Sequence, residues 1–186
     1  MSKYDLFFTL ITIVYGLMLT ELFGRLHKLI RNKKVIEWHW FPLLVVWYLF
    51  LIIIKNWWGL ALPGKSAPEL DIIVFLGNSH LLILLYLLVS AVLPDSIPTT
   101  GLNLKEYYFN NRKYFYGLMI AVNVLALVIQ FLSSLSLGTS FYLLNLYLNS
   151  MLVLLMIILF FSNRLWLHEL IVLLFIIFLC SEIMAS

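Results

Sequence analysis

Charged residues are scarce in this sequence. Of its 186 residues, 11% are Asp, Glu, Lys or Arg, and 63% are hydrophobic. Soluble domains carry about 25% charged residues and roughly half apolar ones. The scarcity excludes a sizeable water-soluble domain. Together with a mean hydropathy of +1.03, it indicates an integral membrane protein.

Cysteine is almost absent, and so are catalytic motifs. The single Cys180 allows neither an intrachain disulfide nor a cluster of thiolate metal ligands. His168 and Glu169 begin like a zinc-protease motif, but Val172 stands where the second histidine would fall. G-x-S-x-G and phosphate-binding glycine loops are missing as well. We therefore expect no enzyme activity, no catalytic residues, no metal site and no cofactor.

Long apolar runs fill the rest of the chain. Six segments approach the roughly 20 residues that cross about 30 Å of hydrocarbon. They are 6–27, 41–62, 71–93, 114–136, 141–162 and 165–185. In hydrocarbon every backbone polar group must be satisfied within its segment, so each run is predicted to be a helix. The fold class is therefore all-α, a polytopic transmembrane bundle with residues 1–186 as a single domain.

Positive charge collects in alternate connections. Nine of the twelve Lys and Arg residues lie in or beside the first, third and fifth loops: Arg25, Lys28, Arg31, Lys33, Lys34, Lys105, Arg112, Lys113 and Arg164. Loops rich in Lys and Arg stay in the cytoplasm. The sequence therefore predicts that both termini lie outside a bacterial cytoplasmic membrane. Because this basic charge is explained by topology, no nucleic-acid partner is expected.

The longest loop, 94–113, carries a helix-start signal. Asn103 and Glu106 have the spacing of a capping box. The aromatic and basic residues that follow predict a short interfacial helix before the fourth span. Its tyrosines are expected at headgroup depth: Tyr107, Tyr108, Tyr114 and Tyr116.

Several polar residues fall within the outer half of the predicted spans. They are Lys55, Asn78, His80, Gln130, Asn145 and Asn149. Polar groups at membrane depth often mark an ion or ligand pathway. If the helix faces converge, these residues line a polar pocket in which Lys55 is an unpaired cation, because no carboxylate is expected at its depth. Alternatively, Lys55 extends its methylenes and snorkels to the outer surface.

A second polar set lies near the predicted cytoplasmic face. Glu21 and Arg25 are four residues apart on one helix face, and His168 and Glu169 begin the sixth helix. We expect ion pairs among these four residues. The neighbouring basic side chains can contact anionic lipid or a cytoplasmic protein partner: Lys28, Arg31, Lys33 and Lys34. Small residues at Gly16, Thr20 and Gly24 allow close helix packing, within one subunit or in a homo-oligomer.

Five sequence stretches resemble a group of small bacterial inner-membrane proteins. They are LTELFGRLHKLIRNKK at 19–34, WHWFPLLVVWYLF at 38–50, NWWGL at 56–60, LP at 93–94 and LKEYYFNNRKYFYG at 104–117. The resemblance covers the first two-thirds of the chain and implies a six-helix membrane protein, without an activity. The leading hypothesis is a non-enzymatic, oligomeric module of channel, transporter or ligand-binding type. The alternative is a structural or sensor membrane subunit of a larger complex, for example a bacterial defence system.

Overall fold

The structure is a computed structural model that describes residues 3–61, 72–137 and 142–185, with side chains described for 5–59, 75–132 and 147–184. Six α-helices occupy almost all of these residues. They are α1 (Lys3–Arg31), α2 (Trp40–Ala61), α3 (Ile72–Val92), α4 (Leu104–Leu137), α5 (Tyr142–Phe161) and α6 (Leu165–Ala185). A short 3₁₀ helix (Lys33–Val35) and two short strands, β1 (Ile36–Glu37) and β2 (Leu102–Asn103), lie in the loops.

Within the described residues, five helices are long and apolar enough to cross a membrane, namely α1, α2, α3, α4 and α6. In α5 the apolar stretch found there is shorter, Tyr147–Phe161. The predominantly helical fold expected from the sequence is thereby confirmed, and the five long apolar helices are compatible with a multi-pass membrane protein. The sixth span stays a prediction.

Contacts between helix ends establish how the helices run relative to one another. Phe7 and Phe75 place the starts of α1 and α3 side by side, with ring centroids 5.6 Å apart. Phe41, Tyr108 and His168 bring together the starts of α2, α4 and α6. Helices α1 and α3 therefore run one way, and α2, α4 and α6 run the other. We call the end where α1 and α3 finish and α2, α4 and α6 begin the basic end, because the loop after α1 carries Lys33 and Lys34 there.

The buried core follows helical spacing. On α1, Ile11, Tyr15, Met18 and Leu22 recur every three or four residues and are all buried. Large apolar side chains also cover the outside of the bundle, as with Phe161 at 73% exposed. Such apolar outer faces suit a protein surrounded by lipid, where nothing drives these side chains inward.

The helix predicted before the fourth span is present and runs into that span without a break. Residues 104–137 form one continuous helix, because no glycine or proline interrupts the aromatic and basic stretch at its start. Tyr108 and Tyr116 are buried at 5% and 0% exposed, so their rings pack inside the bundle and do not face outward. Tyr114, on another face, is 55% exposed.

The two strands join the loop after α1 to the loop after α3. They pair in parallel, with Ile36 opposite Leu102 and Glu37 opposite Asn103. Gly101 precedes β2 with φ +99°, and a β-carbon there would lie 3.1 Å from the Val35 carbonyl oxygen. Only glycine suits both the positive φ and the close approach of the two loops.

Candidate functional site at the basic end

Arg25 ties the end of α1 to the end of α3. Its Nε donates to Glu21 Oε1 at 2.6 Å, the i,i+4 pair expected from the sequence. Its Nη1 donates to the carbonyl oxygens of Ser90 and Leu93 at 2.6 and 2.7 Å, and its Nη2 pairs with Asp95. The planar guanidinium can direct several donors at once, and here each of its three nitrogens has an acceptor.

A second polar cluster joins α4 to α6. The Nε2 of His168 lies 3.1 Å from the Ser162 carbonyl oxygen, and its Nδ1 lies 2.7 Å from the Tyr108 hydroxyl. Because a carbonyl oxygen only accepts, Nε2 carries the proton. In the neutral ring that such burial favours, Nδ1 then accepts from Tyr108, whose oxygen lies 2.8 Å from the Tyr116 hydroxyl. Both ring nitrogens of His168 therefore have hydrogen-bond partners within the protein.

This cluster corrects the ion pairing predicted for His168 and Glu169. Among the residues that the structure describes, neither of them forms an ion pair. His168 is fully buried against Phe41 and Phe109, where it meets hydroxyl and carbonyl groups in place of a charged partner. This environment could not be predicted from the sequence, because it forms only where the starts of α2, α4 and α6 meet.

Asn103 fixes the geometry of the strand pair. Its Oδ1 accepts from the backbone N–H of Glu106 at 3.0 Å, which caps the start of α4 as the Asn-x-x-Glu spacing predicts. Its Nδ2 donates to the Glu37 carboxylate on the neighbouring strand. One amide therefore holds a helix start and two loops in a single arrangement.

A cleft of about 470 Å³ opens beside this strand pair. The backbone of β1 and β2 contributes to its wall, and its polar side chains come from both loops and the first turn of α4. These are Lys34, Glu37, Thr99, Thr100, Asn103 and Glu106. Clefts of roughly 300–1,000 Å³ are the size that small molecules occupy in proteins.

At the opposite end of the bundle, Lys55 has a partner that sequence reasoning missed. Its ammonium forms an ion pair with the Glu182 carboxylate of α6. The expectation that no carboxylate reaches Lys55 is therefore wrong, and so is the unpaired cation on which the predicted pocket depended. The signal was present in the sequence, since α2 and α6 share a predicted direction and Glu182 lies close to the end of α6.

The other predicted pathway residues lie apart from any cleft that we describe. His80 is exposed, and its Nδ1 lies 2.7 Å from the Leu76 carbonyl oxygen of its own helix. Asn78, Gln130 and Asn149 are half-buried. The side chain of Asn145 falls outside the described residues. An exposed ring bound to its own backbone is not the wall of an internal pocket, so His80 does not support the predicted one.

The basic residues after the first span are accessible. Lys28, Arg31, Lys33 and Lys34 are all exposed, in contrast to the buried Arg25. Their positions leave both lipid and a protein as possible contacts. Gly16, Thr20 and Gly24 are also exposed, and β-carbons built on the two glycines would meet nothing within 4 Å.

The basic end therefore carries a polar cleft and two polar clusters, one around Arg25 and one around His168. Sequence reasoning identified Arg25, Glu21, Lys34, His168 and the Asn103–Glu106 cap, but it missed Asp95, Glu37 and the strand pair beside the cleft. In comparisons with protein-family models, with curated proteins and with solved structures, no match to this chain was found.

Proposed function

We propose that this protein is a non-enzymatic, multi-pass membrane protein that binds a small polar ligand in the cleft at its basic end. The single observation that carries the proposal is the cleft of about 470 Å³ beside the β1–β2 pair. Its walls are held in place by the Asn103 amide and by Gly101, so the site does not need to be ordered when a ligand arrives. Preorganised sites of this kind avoid part of the entropic cost of binding.

The Lys55 end offers weaker support for binding or transport. A cation paired with Glu182 has its charge compensated within the protein, so no external anion is needed to stabilise it. The cleft at the basic end, in contrast, combines space with several polar groups. The proposed ligand site therefore lies at the basic end of the bundle and not among the polar residues of the outer half of the spans.

We further propose that the chain crosses a bacterial cytoplasmic membrane six times. The basic end then faces the cytoplasm and both termini lie outside, because nine of the twelve Lys and Arg residues belong to the basic loops. In this orientation the cleft samples cytoplasmic solutes. A single-cysteine experiment tests the orientation: in a Cys180→Ser background, Met184→Cys should react with a membrane-impermeant maleimide on intact cells. Lys33→Cys should react only after permeabilisation, and the reverse pattern would contradict the proposed topology.

Binding is tested by thermal melting of the purified protein in detergent. The probes are representative amino acids, amines, carboxylates, sugar phosphates and nucleotides. At least one class should raise the melting temperature of the wild type, and this shift should disappear in Thr100→Trp, which fills the cleft. Ser96→Trp places the same bulk on the same loop outside the lining and should keep the shift. No shift with any class, or a shift that persists in Thr100→Trp, would rule out the proposed site.

A second candidate function is that of a membrane subunit in a larger complex. It is favoured by the exposure of Lys28, Arg31 and Lys33 at the basic end, where a cytoplasmic protein with an acidic surface could dock. The exposed Gly16–Thr20–Gly24 face offers a place for a second copy of the chain in a homo-oligomer. Neutralising Lys28, Arg31 and Lys33 together should release a stoichiometric partner, whereas Lys105→Gln and Lys113→Gln should retain it. Ligand-induced melting shifts should survive the triple change, which separates this function from the first.

A further inference from the structure

The cleft is lined by positive and negative side chains that do not form ion pairs with each other. Lys34 lines it from the end of the first loop, and Glu37 and Glu106 line it from β1 and the first turn of α4. Among the residues that the structure describes, neither the Lys34 ammonium nor the Glu106 carboxylate has a hydrogen bond or an ion-pair partner. A cation and an anion that share one cleft without pairing leave both charges available to a ligand.

The neutral polar groups of the cleft complement these charges. Thr99 and Thr100 add hydroxyl groups that can donate to an anionic oxygen or accept from an ammonium. The Asn103 side chain, by contrast, already has a partner at each polar atom, because its oxygen caps α4 and its nitrogen donates to Glu37. Glu37 has one oxygen engaged by Asn103 and a second that can accept from a ligand.

We propose, resting on the function above, that the cleft binds a zwitterionic group, in which an ammonium is joined through a short linker to a phosphate or carboxylate. The ammonium donates to the carboxylates of Glu106 and Glu37. The anionic end accepts from Lys34 and from the threonine hydroxyls. A ligand with only one charge would make only one of the two sets of charge-assisted contacts, so it binds more weakly.

The size of the cleft argues for an organic zwitterion over a metal ion. About 470 Å³ is far larger than one cation requires, and Mg²⁺ or Ca²⁺ takes its six or more oxygen ligands at about 2.0–2.6 Å. Lys34 would also repel a divalent cation. A zwitterion of a few heavy atoms, in contrast, can reach both charged walls.

Two sources could supply this chemistry. One is a water-soluble metabolite, and the other is the headgroup of a phosphatidylethanolamine-type lipid, since the cleft lies where the membrane-spanning helices end. Both sources carry an ammonium linked to an anion. To separate them, the protein is given the soluble compound in one experiment and the lipid in another.

Titration calorimetry on the detergent-purified full chain provides the test for soluble ligands. The probes are phosphoethanolamine, ethanolamine as the ammonium alone, inorganic phosphate as the anion alone, and magnesium chloride. Phosphoethanolamine should bind most tightly. Glu106→Gln and Lys34→Gln should each weaken its binding by about tenfold or more, because each removes a charge-assisted contact. Lys105→Gln changes the charge of the residue next to Glu106 outside the cleft and should leave the affinity unchanged.

The lipid source is tested by reconstituting the protein in nanodiscs of phosphatidylglycerol with or without phosphatidylethanolamine. A lipid site would raise the melting temperature with phosphatidylethanolamine, and this shift would be lost in Glu106→Gln but kept in Lys105→Gln. A soluble-ligand site would give no such difference between the nanodiscs, while phosphoethanolamine still binds. Either result supports the zwitterion proposal and assigns its source.

Other outcomes separate the two proposals. If ethanolamine, phosphate or magnesium binds as tightly as phosphoethanolamine, or if Glu106→Gln has no effect, the zwitterion proposal is overturned. If another probe class binds and Thr100→Trp abolishes its effect, ligand binding stands and only the zwitterion is rejected. If nothing binds in solution or in nanodiscs, both proposals fail together.

Discussion

Lys55 of α2 and Glu182 of α6 form an ion pair although 127 positions separate them in the sequence. The side chains are 35% and 42% exposed, so the pair lies on the flank of the bundle. A lysine at the centre of a membrane helix costs about 2.5–3.5 kcal/mol, and less toward the helix end. The carboxylate offsets part of that cost and holds α2 against α6.

The first prediction concerns this pair. Lys55→Met should lower the free energy of unfolding by about 1 kcal/mol, because Glu182 loses its partner at a half-exposed position. Adding Glu182→Leu should recover part of the loss. The double-mutant cycle is measured by denaturation with sodium dodecyl sulfate. Strictly additive effects of the two changes would mean that the pair contributes nothing.

The second prediction concerns Arg25, which is buried among four acceptors. Arg25→Ala should reduce the free energy of unfolding by about 3–5 kcal/mol, because it leaves Glu21 and two backbone carbonyls without their donor. Arg25→Lys should recover only part of this, since one ammonium cannot reach all the acceptors. Arg31→Ala, at an exposed position six residues later, is the control and should change stability by less than about 0.5 kcal/mol. Equal effects at the two positions would contradict the structure.

The third prediction separates a buried tyrosine from an exposed one on the same helix. Tyr108→Phe removes the hydroxyl that lies between His168 and Tyr116, both of which are fully buried. The loss of stability should be about 1–3 kcal/mol, because two buried polar groups then lack a partner. Tyr114→Phe should be nearly neutral. Thermal melting of both variants checks the difference, and a neutral Tyr108→Phe would show that the cluster is not intact in the protein.

The fourth prediction compares two glycines. Gly101→Ala should cost at least about 1–2 kcal/mol, since its φ of +99° is unfavourable for an L-residue and its new β-carbon would press on the Val35 carbonyl. Gly59→Ala, on α2 with nothing within 4 Å, should be neutral or stabilising by up to about 1 kcal/mol. The same Gly101 variant should also lose the ligand-induced melting shift, because it displaces β2 from β1. Retention of a full shift would contradict the role assigned to the strand pair.

The sequence predicts the helices best where apolar composition and helix length coincide. Helix α2 was expected at 41–62 and is Trp40–Ala61, and α6 was expected at 165–185 and is Leu165–Ala185. Helices α1 and α4 extend beyond the predicted spans because polar residues continue the backbone hydrogen bonding outside the apolar stretch. Hydropathy identifies only the part of each helix that lipid would surround, and not the polar turns that continue the helix beyond it.

The candidate site was less predictable, for a different reason. The Glu21–Arg25 pair and the Asn103 cap are local, so spacing along one helix was sufficient to find them. The contacts of Arg25 with Asp95, of Asn103 with Glu37 and of Tyr108 with His168 join distant segments. Periodicity carries no information on which helix ends meet, so these contacts and the cleft beside them required the three-dimensional arrangement.

The paired strands couple elements that the loops alone would leave independent. Strand β1 leads into α2 after two residues, and β2 leads directly into α4. The four paired residues therefore hold the starts of α2 and α4 at a fixed position relative to each other. The start of α2 and the start of α4 are thus joined by backbone hydrogen bonds between residues 65 or more positions apart in the chain.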